Sequence, residues 1–71
     1  MIIVKSVEGS NLGGRFTLLY ADTKSEVPST GTATVAAIQG DRVSKLATGD
    51  VLYTANLEKA VLKSDDTWNW V

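Results

Sequence analysis

The chain contains no cysteine and no histidine. Without cysteine there are no disulfide staples, and without either residue there is no thiolate or imidazole metal site. A 71-residue chain therefore lacks the usual aids to a small core. A domain of that size buries only about 60% of the surface its unfolded chain exposes. Self-association, or docking on a larger body, is the remaining common support. The missing cysteine does not indicate a redox compartment.

An excess of basic charge is also lacking. Seven Lys and Arg stand against eight Asp and Glu, for a net charge of −1. Lys5, Arg15, Lys24, Arg42, Lys45, Lys59 and Lys63 are scattered among acidic residues. Nucleic-acid binders concentrate such residues in a patch or stripe, so nucleic acid is disfavoured as a partner. Long apolar runs are missing as well. The first one, Met1 to Val4, is far short of the ~20 residues of a membrane span. No signal peptide is read, so synthesis in the cytoplasm and no membrane association are expected.

What is present reads mostly as short strands. Ile2 to Val7 is β-branched and ends at Glu8-Gly9. Its apolar residues fall on both faces, as in a strand covered on both sides or lying at an interface. Residues 9–14 are glycine and asparagine turn chemistry. Arg15 to Ala21 resumes as a strand with Phe16, Leu18 and Tyr20 on one face, so the pair reads as a hairpin. Residues 22–31, with the single proline Pro28, read as a loop with room for an edge strand near Glu26-Val27. Residues 32–39 fit two patterns. One is a helix capped by Thr30, with Val35 and Ile38 inward and Gly40 as its stop. The other is a strand with Ala33, Val35 and Ala37 on one face, which the β-branched first half favours. Residues 41–48 fit either one helical turn capped by Asp41 or a loop that tucks in Val43 and Leu46. From Val51 onward the pattern is clearer: Val51 to Ala55, Ala60 to Lys63 and Trp68 to Val71 are strands joined by short polar turns.

Candidate sites are few. Gly9-x-x-x-Gly13-Gly14 lacks Gly-Lys-Ser/Thr and leads into a strand, whereas a phosphate loop needs a helix N-terminus. Asp65 and Asp66, with Asp50 earlier, lack the alternating ligands and distant Glu of a calcium loop. Lys5-Ser6 and Ser44-Lys45 are adjacent pairs, and neighbours on a strand point to opposite faces. So short a chain also has little room for a pocket of about 300–1,000 Å³. No enzyme activity, cofactor or metal is expected. Trp68 and Trp70 share one face of the last strand, where they are core anchors, interface residues or a sugar-stacking platform.

The segment from Gly49 to Trp68 resembles a short β-meander found in bacteriophage fibre, tail and head-associated structural proteins. Gly49, Tyr53, Lys59, Asp65 and Trp68 match its pattern. The chain departs from it at Asp65-Asp66-Thr67, where Asp-Gly is usual, and at Val61-Leu62, where an aromatic often stands. The resemblance covers under a third of the chain. It implies a virion-building, oligomer-forming role, with no catalytic residue.

Together these readings predict one all-β domain over residues 1–71. They describe a small antiparallel barrel or sandwich of five to six short strands, with a C-terminal three-stranded meander and one short helical turn. The expected role is a non-enzymatic structural protein of a phage or prophage virion, whose partners are itself or other virion proteins. The expected interface is Ile2, Ile3, Val4, Trp68, Trp70 and Val71. These residues lie on terminal strands that either pair with each other to close the sheet or pair with a neighbouring subunit. The alternative is a carbohydrate-binding module using Tyr53, Trp68 and Trp70, or a nucleic-acid module using aromatics with Lys5, Arg15 and Lys63.

Overall fold

The computed structural model describes residues 1–9, 15–40 and 43–71. Five strands form one sheet in chain order: β1 (Ile2–Gly9), β2 (Arg15–Ala21), β3 (Val51–Thr54), β4 (Lys59–Leu62) and β5 (Trp68–Trp70). The fold is mostly strand, as the sequence predicts, and β3, β4 and β5 form the expected antiparallel meander. The sheet is open, however, with β1 and β5 at opposite edges, so the chain ends do not close a barrel. It is also mixed, because β2 and β3 run parallel, pairing Leu18 with Val51 and Tyr20 with Tyr53. Parallel neighbours need a long crossover, and residues 22–50 supply it.

The crossover lies across one face of the sheet. It contains a 3-10 turn at Lys24–Glu26, where the sequence leaves room for an edge strand near Glu26-Val27, and the helix α1 (Gly31–Ala37). Residues 32–39 are thus mainly helical and not strand. A local cap and a long-range contact resolve the two patterns. The Thr30 hydroxyl accepts the Ala33 N–H at 3.1 Å as the N-cap. From the β4–β5 turn, the Asp66 carboxylate accepts the Thr32 N–H at 3.1 Å and the Thr32 hydroxyl at 2.8 Å. Two of the donors left over at a helix start are therefore met by side chains. The helix ends at Ile38, which turns extended and bridges Ile2. Asp41 and Arg42, where a second helical turn was considered, lie outside the described residues. Val43 and Leu46 are tucked against the core from a non-helical segment.

The core lies between this crossover and the sheet: Ile2, Leu19, Ala21, Ile38, Leu52, Ala60, Leu62 and Trp68. Small residues line the contact, with Gly31, Thr34, Ala21 and Ala60 all buried, so the helix can sit close to the strands. Gly31 shows how close. A Cβ there would lie 2.6 Å from an Asp66 carboxylate oxygen and 2.9 Å from a Leu62 methyl. Gly31→Ala would gain about 1 kcal/mol of helix propensity. Against that, overpacking costs about 1–3 kcal/mol, and Asp66 cannot move aside without releasing Thr32. The expected net result is a loss of about 1–2 kcal/mol, read as a lower urea midpoint with an unchanged slope.

Candidate functional site

Each strand alternates its side chains between two faces. The crossover covers Thr17, Leu19 and Ala21 of β2, Leu52 and Thr54 of β3, Ala60 and Leu62 of β4, and Trp68 of β5, all of them buried. The other face carries Ile3, Phe16, Leu18, Tyr20, Val51, Tyr53 and Val61. The pairings place them in contiguous rows: Ile3 beside Tyr20, Tyr20 beside Tyr53, Leu18 beside Val51, and Val51 beside Val61. Six of the seven are partly exposed, and Tyr53 is 42% exposed. A one-sided sheet normally turns polar residues to water. Here the described polar residues on that face are Lys5 and Ser6 at the β1 register shift, and Lys59 and Asn69 near the β4–β5 side. The Lys59 ammonium stands 5.9 Å from the centre of the Tyr53 ring.

The two tryptophans lie on the covered face, and Tyr53 lies on the open one. The expected ligand surface of Tyr53, Trp68 and Trp70 is therefore not assembled. Trp68 is 7% exposed, and its indole N–H donates to the Thr34 hydroxyl at 2.9 Å, joining β5 to α1. Trp70 is partly exposed at the rim of an open groove of about 650 Å³, lined also by Lys24, Val27, Pro28 and Ser29. That volume exceeds the sequence expectation for so short a chain. The Lys24 ammonium sits 5.0 Å above the Trp70 ring and occupies one stacking face. Beside it the Met1 ammonium bonds to the Asp22 carboxylate at 2.9 Å and to Glu26. Its hydrogen bond holds Glu26 below the usual carboxylate range, and the same bond leads the causes that raise the amino group above its own.

A second cleft, of about 400 Å³, holds Val7, Val43, Ser44, Lys45 and Asp50. Asp50 is buried, and both its carboxylate oxygens are occupied. One accepts the Thr17 N–H and the other the Ala47 N–H, each at 2.8 Å. The carboxylate thus continues the parallel ladder one step below Leu18 and Val51, where a strand carbonyl would otherwise stand. Ser44 and Lys45 are exposed. Ser6 Oγ is buried without a hydrogen-bond partner among the described residues. Asp65 accepts the Thr67 hydroxyl at 2.5 Å and the Thr67 N–H at 3.1 Å, which hold its carboxyl below the usual range. No group of acidic residues able to hold a metal exists among the described residues.

The predicted interface residues separate in the same way. Ile2 and Trp68 are core and cannot offer side chains to a neighbour. Ile3 is on the open face, Val4 packs against the core, and Val71 is 81% exposed beyond β5. The sheet edges they were expected to offer are partly occupied. The Ile2 carbonyl accepts the Gln39 N–H at 2.7 Å, and the Trp68 N–H donates to the Ser29 carbonyl at 3.3 Å. A register shift between Val4 and Ser6 interrupts the rest of the β1 edge, a common guard against edge pairing. The sequence pattern had Phe16, Leu18 and Tyr20 on one face but gave no sign that this face is the uncovered one. No helix among the described residues is long and apolar enough to cross a membrane. In comparisons with family models, curated proteins and solved structures, the chain matches none of them.

Proposed function

We propose that this chain is a non-catalytic structural module that works by assembling with copies of itself, as a component of a bacteriophage or prophage virion. The observation behind the self-assembly is the open sheet face. Seven apolar or aromatic side chains lie contiguously on a surface that a monomer would leave to water. Patches of more than a few hundred Å² on soluble proteins mark interaction sites. The virion assignment rests on the resemblance of residues 49–68 to the meanders of phage structural proteins. A non-catalytic role agrees with Asp50, whose oxygens are both held by backbone N–H groups and which has no histidine to work with.

Light scattering across the micromolar range tests the self-assembly. A mass of two or more chains is expected, and a single-chain mass throughout would reject it. Mass spectrometry of purified particles tests the virion assignment. The chain should appear among the particle proteins, and its absence from them counts against that part.

A further inference from the structure

The self-assembly reading leaves open which surface is used, and the geometry points to one. We propose that two copies pack their open sheet faces together about a two-fold axis through β3, giving a helix–sheet–sheet–helix sandwich. This inference rests on the reading above and goes further by naming the surface and the occupant.

Area supports a second copy. Five strands about 4.8 Å apart, three to five residues deep, present a face of roughly 24 by 15 Å. With side-chain corrugation that is about 500 Å² per copy, so two faces bury about 1,000 Å² together, where biological interfaces begin. The sheet shape supports it as well. Twisted sheets pack face to face with their strands about 30° apart and their inner side chains interdigitated. The described crossover residues pack on the opposite side, where Val27, Ala37, Ile38, Val43 and Leu46 meet the core. They leave the approach to the open face clear.

Charge is compatible with the same arrangement. Lys5 and Lys59 are the charged side chains described in the rows of the open face, Lys5 on the edge strand β1 and Lys59 off-centre on β4. If the axis runs along the strands, β4 of one copy lies over β2 of the other, and Lys59 faces the Tyr20 region. If the axis runs across the strands, the two Lys59 residues stand at opposite ends. With the axis along the strands Lys5, on β1, lies over β5, so this arrangement brings no like charges together. β3 is the middle strand in both arrangements, so Val51 and Tyr53 of one copy lie against the Val51–Tyr53 stretch of the other. Edge pairing is the rival geometry, and it is left little free backbone near Ile2 and Trp68.

The absence of cysteine provides a direct test, because any introduced thiol is unique. Val51→Cys should form a covalent dimer with oxidised glutathione. Ala33→Cys, on the exposed side of α1, should stay monomeric on denaturing gels. Tyr53→Glu places a carboxylate opposite Lys59. That pair is tolerable in a solvated monomer but would be buried in the dimer. The variant should keep its circular dichroism spectrum and weaken the dimer about 100-fold. If Tyr53→Glu does not fold, the cysteine pair decides alone. An oligomer that resists Tyr53→Glu and fails to cross-link at Val51 would overturn this surface while leaving self-assembly in place. A wild-type chain that stays monomeric overturns both.

Discussion

Trp68→Ala is expected to remove about 3–5 kcal/mol of folding stability. The indole is buried between β5 and α1 and makes the hydrogen bond to Thr34 that joins them. Removing a buried tryptophan costs about 3–5 kcal/mol through lost transfer energy and the cavity left behind. At about 0.05–0.15 kcal/mol per residue, a chain of this length is stabilised by roughly 4–10 kcal/mol in total. The loss is therefore a large fraction of the whole. Trp68→Phe keeps part of the volume but leaves the site smaller, and should cost about 1–3 kcal/mol. Trp70→Ala removes a rim residue with one face on Lys24, and should cost no more than about 1–2 kcal/mol. Urea titrations at equal protein concentration give the order, since an assembling protein gains stability with concentration. Equal midpoints for Trp68→Ala and Trp70→Ala would refute this division of labour between the two residues.

The parts of this fold that were legible in the sequence are those decided locally. β3, β4 and β5 alternate cleanly and are joined by short turns, so strand, turn and face all follow from adjacent residues. The antiparallel pairing of β1 with β2 was legible in the same way, although its covered face was not. The helix was legible only as one of two patterns, through its Thr30 cap, because Thr32, Thr34 and Val35 favour a strand and the carboxylate that completes the cap lies far along the chain. Asp66 is the clearest case. It stands at a turn position with φ at +68°, a conformation that favours glycine. That conformation is costly for a side chain, but aspartate tolerates it better than most residues, and the carboxylate it supplies caps α1. An aspartate at a turn position that favours glycine was thus the visible trace of a long-range contact. The direction of β3 was hidden for a related reason. A crossover and a hairpin both begin with a loop, and the choice depends on whether the intervening chain packs over the sheet. The bulky face of β2 looked like any core face because small residues, Thr17 and Ala21, flank Leu19 on the side the helix covers closely. Assigning the covered face therefore required knowing that residues 31–37 form a closely packed helix.

Asp50→Ala is the second large effect expected, and it concerns a residue whose type alone suggested only a turn. Gly49 precedes it with φ at +96°, which brings the chain into β3 at an angle that points the carboxylate along the sheet. There it accepts one N–H from β2 and one from Ala47 at the end of the crossover. Its own backbone is also engaged, since its N–H donates to the Ala47 carbonyl at 3.0 Å and its carbonyl accepts the Leu62 N–H at 2.9 Å. Substitution leaves those backbone bonds in place and removes the two to the carboxylate. Hydrogen bonds to a charged group contribute about 1.5–3 kcal/mol each, and a buried donor left unpaired loses its solvation as well. The two share one side chain, so the losses do not simply add, and Asp50→Ala should cost about 2–4 kcal/mol. Asp50→Asn keeps one acceptor oxygen and turns an amide N–H₂ towards a second N–H, so roughly half that loss is expected. Hydrogen exchange separates this account from simple loss of packing. In Asp50→Asn the amide of either Thr17 or Ala47 should lose protection, while that of Leu62, bonded to the Asp50 backbone, should keep it. Uniform loss of protection across β2, β3 and β4, or equal stability of the two variants, would show that the carboxylate does not tie the crossover to the ladder in this way.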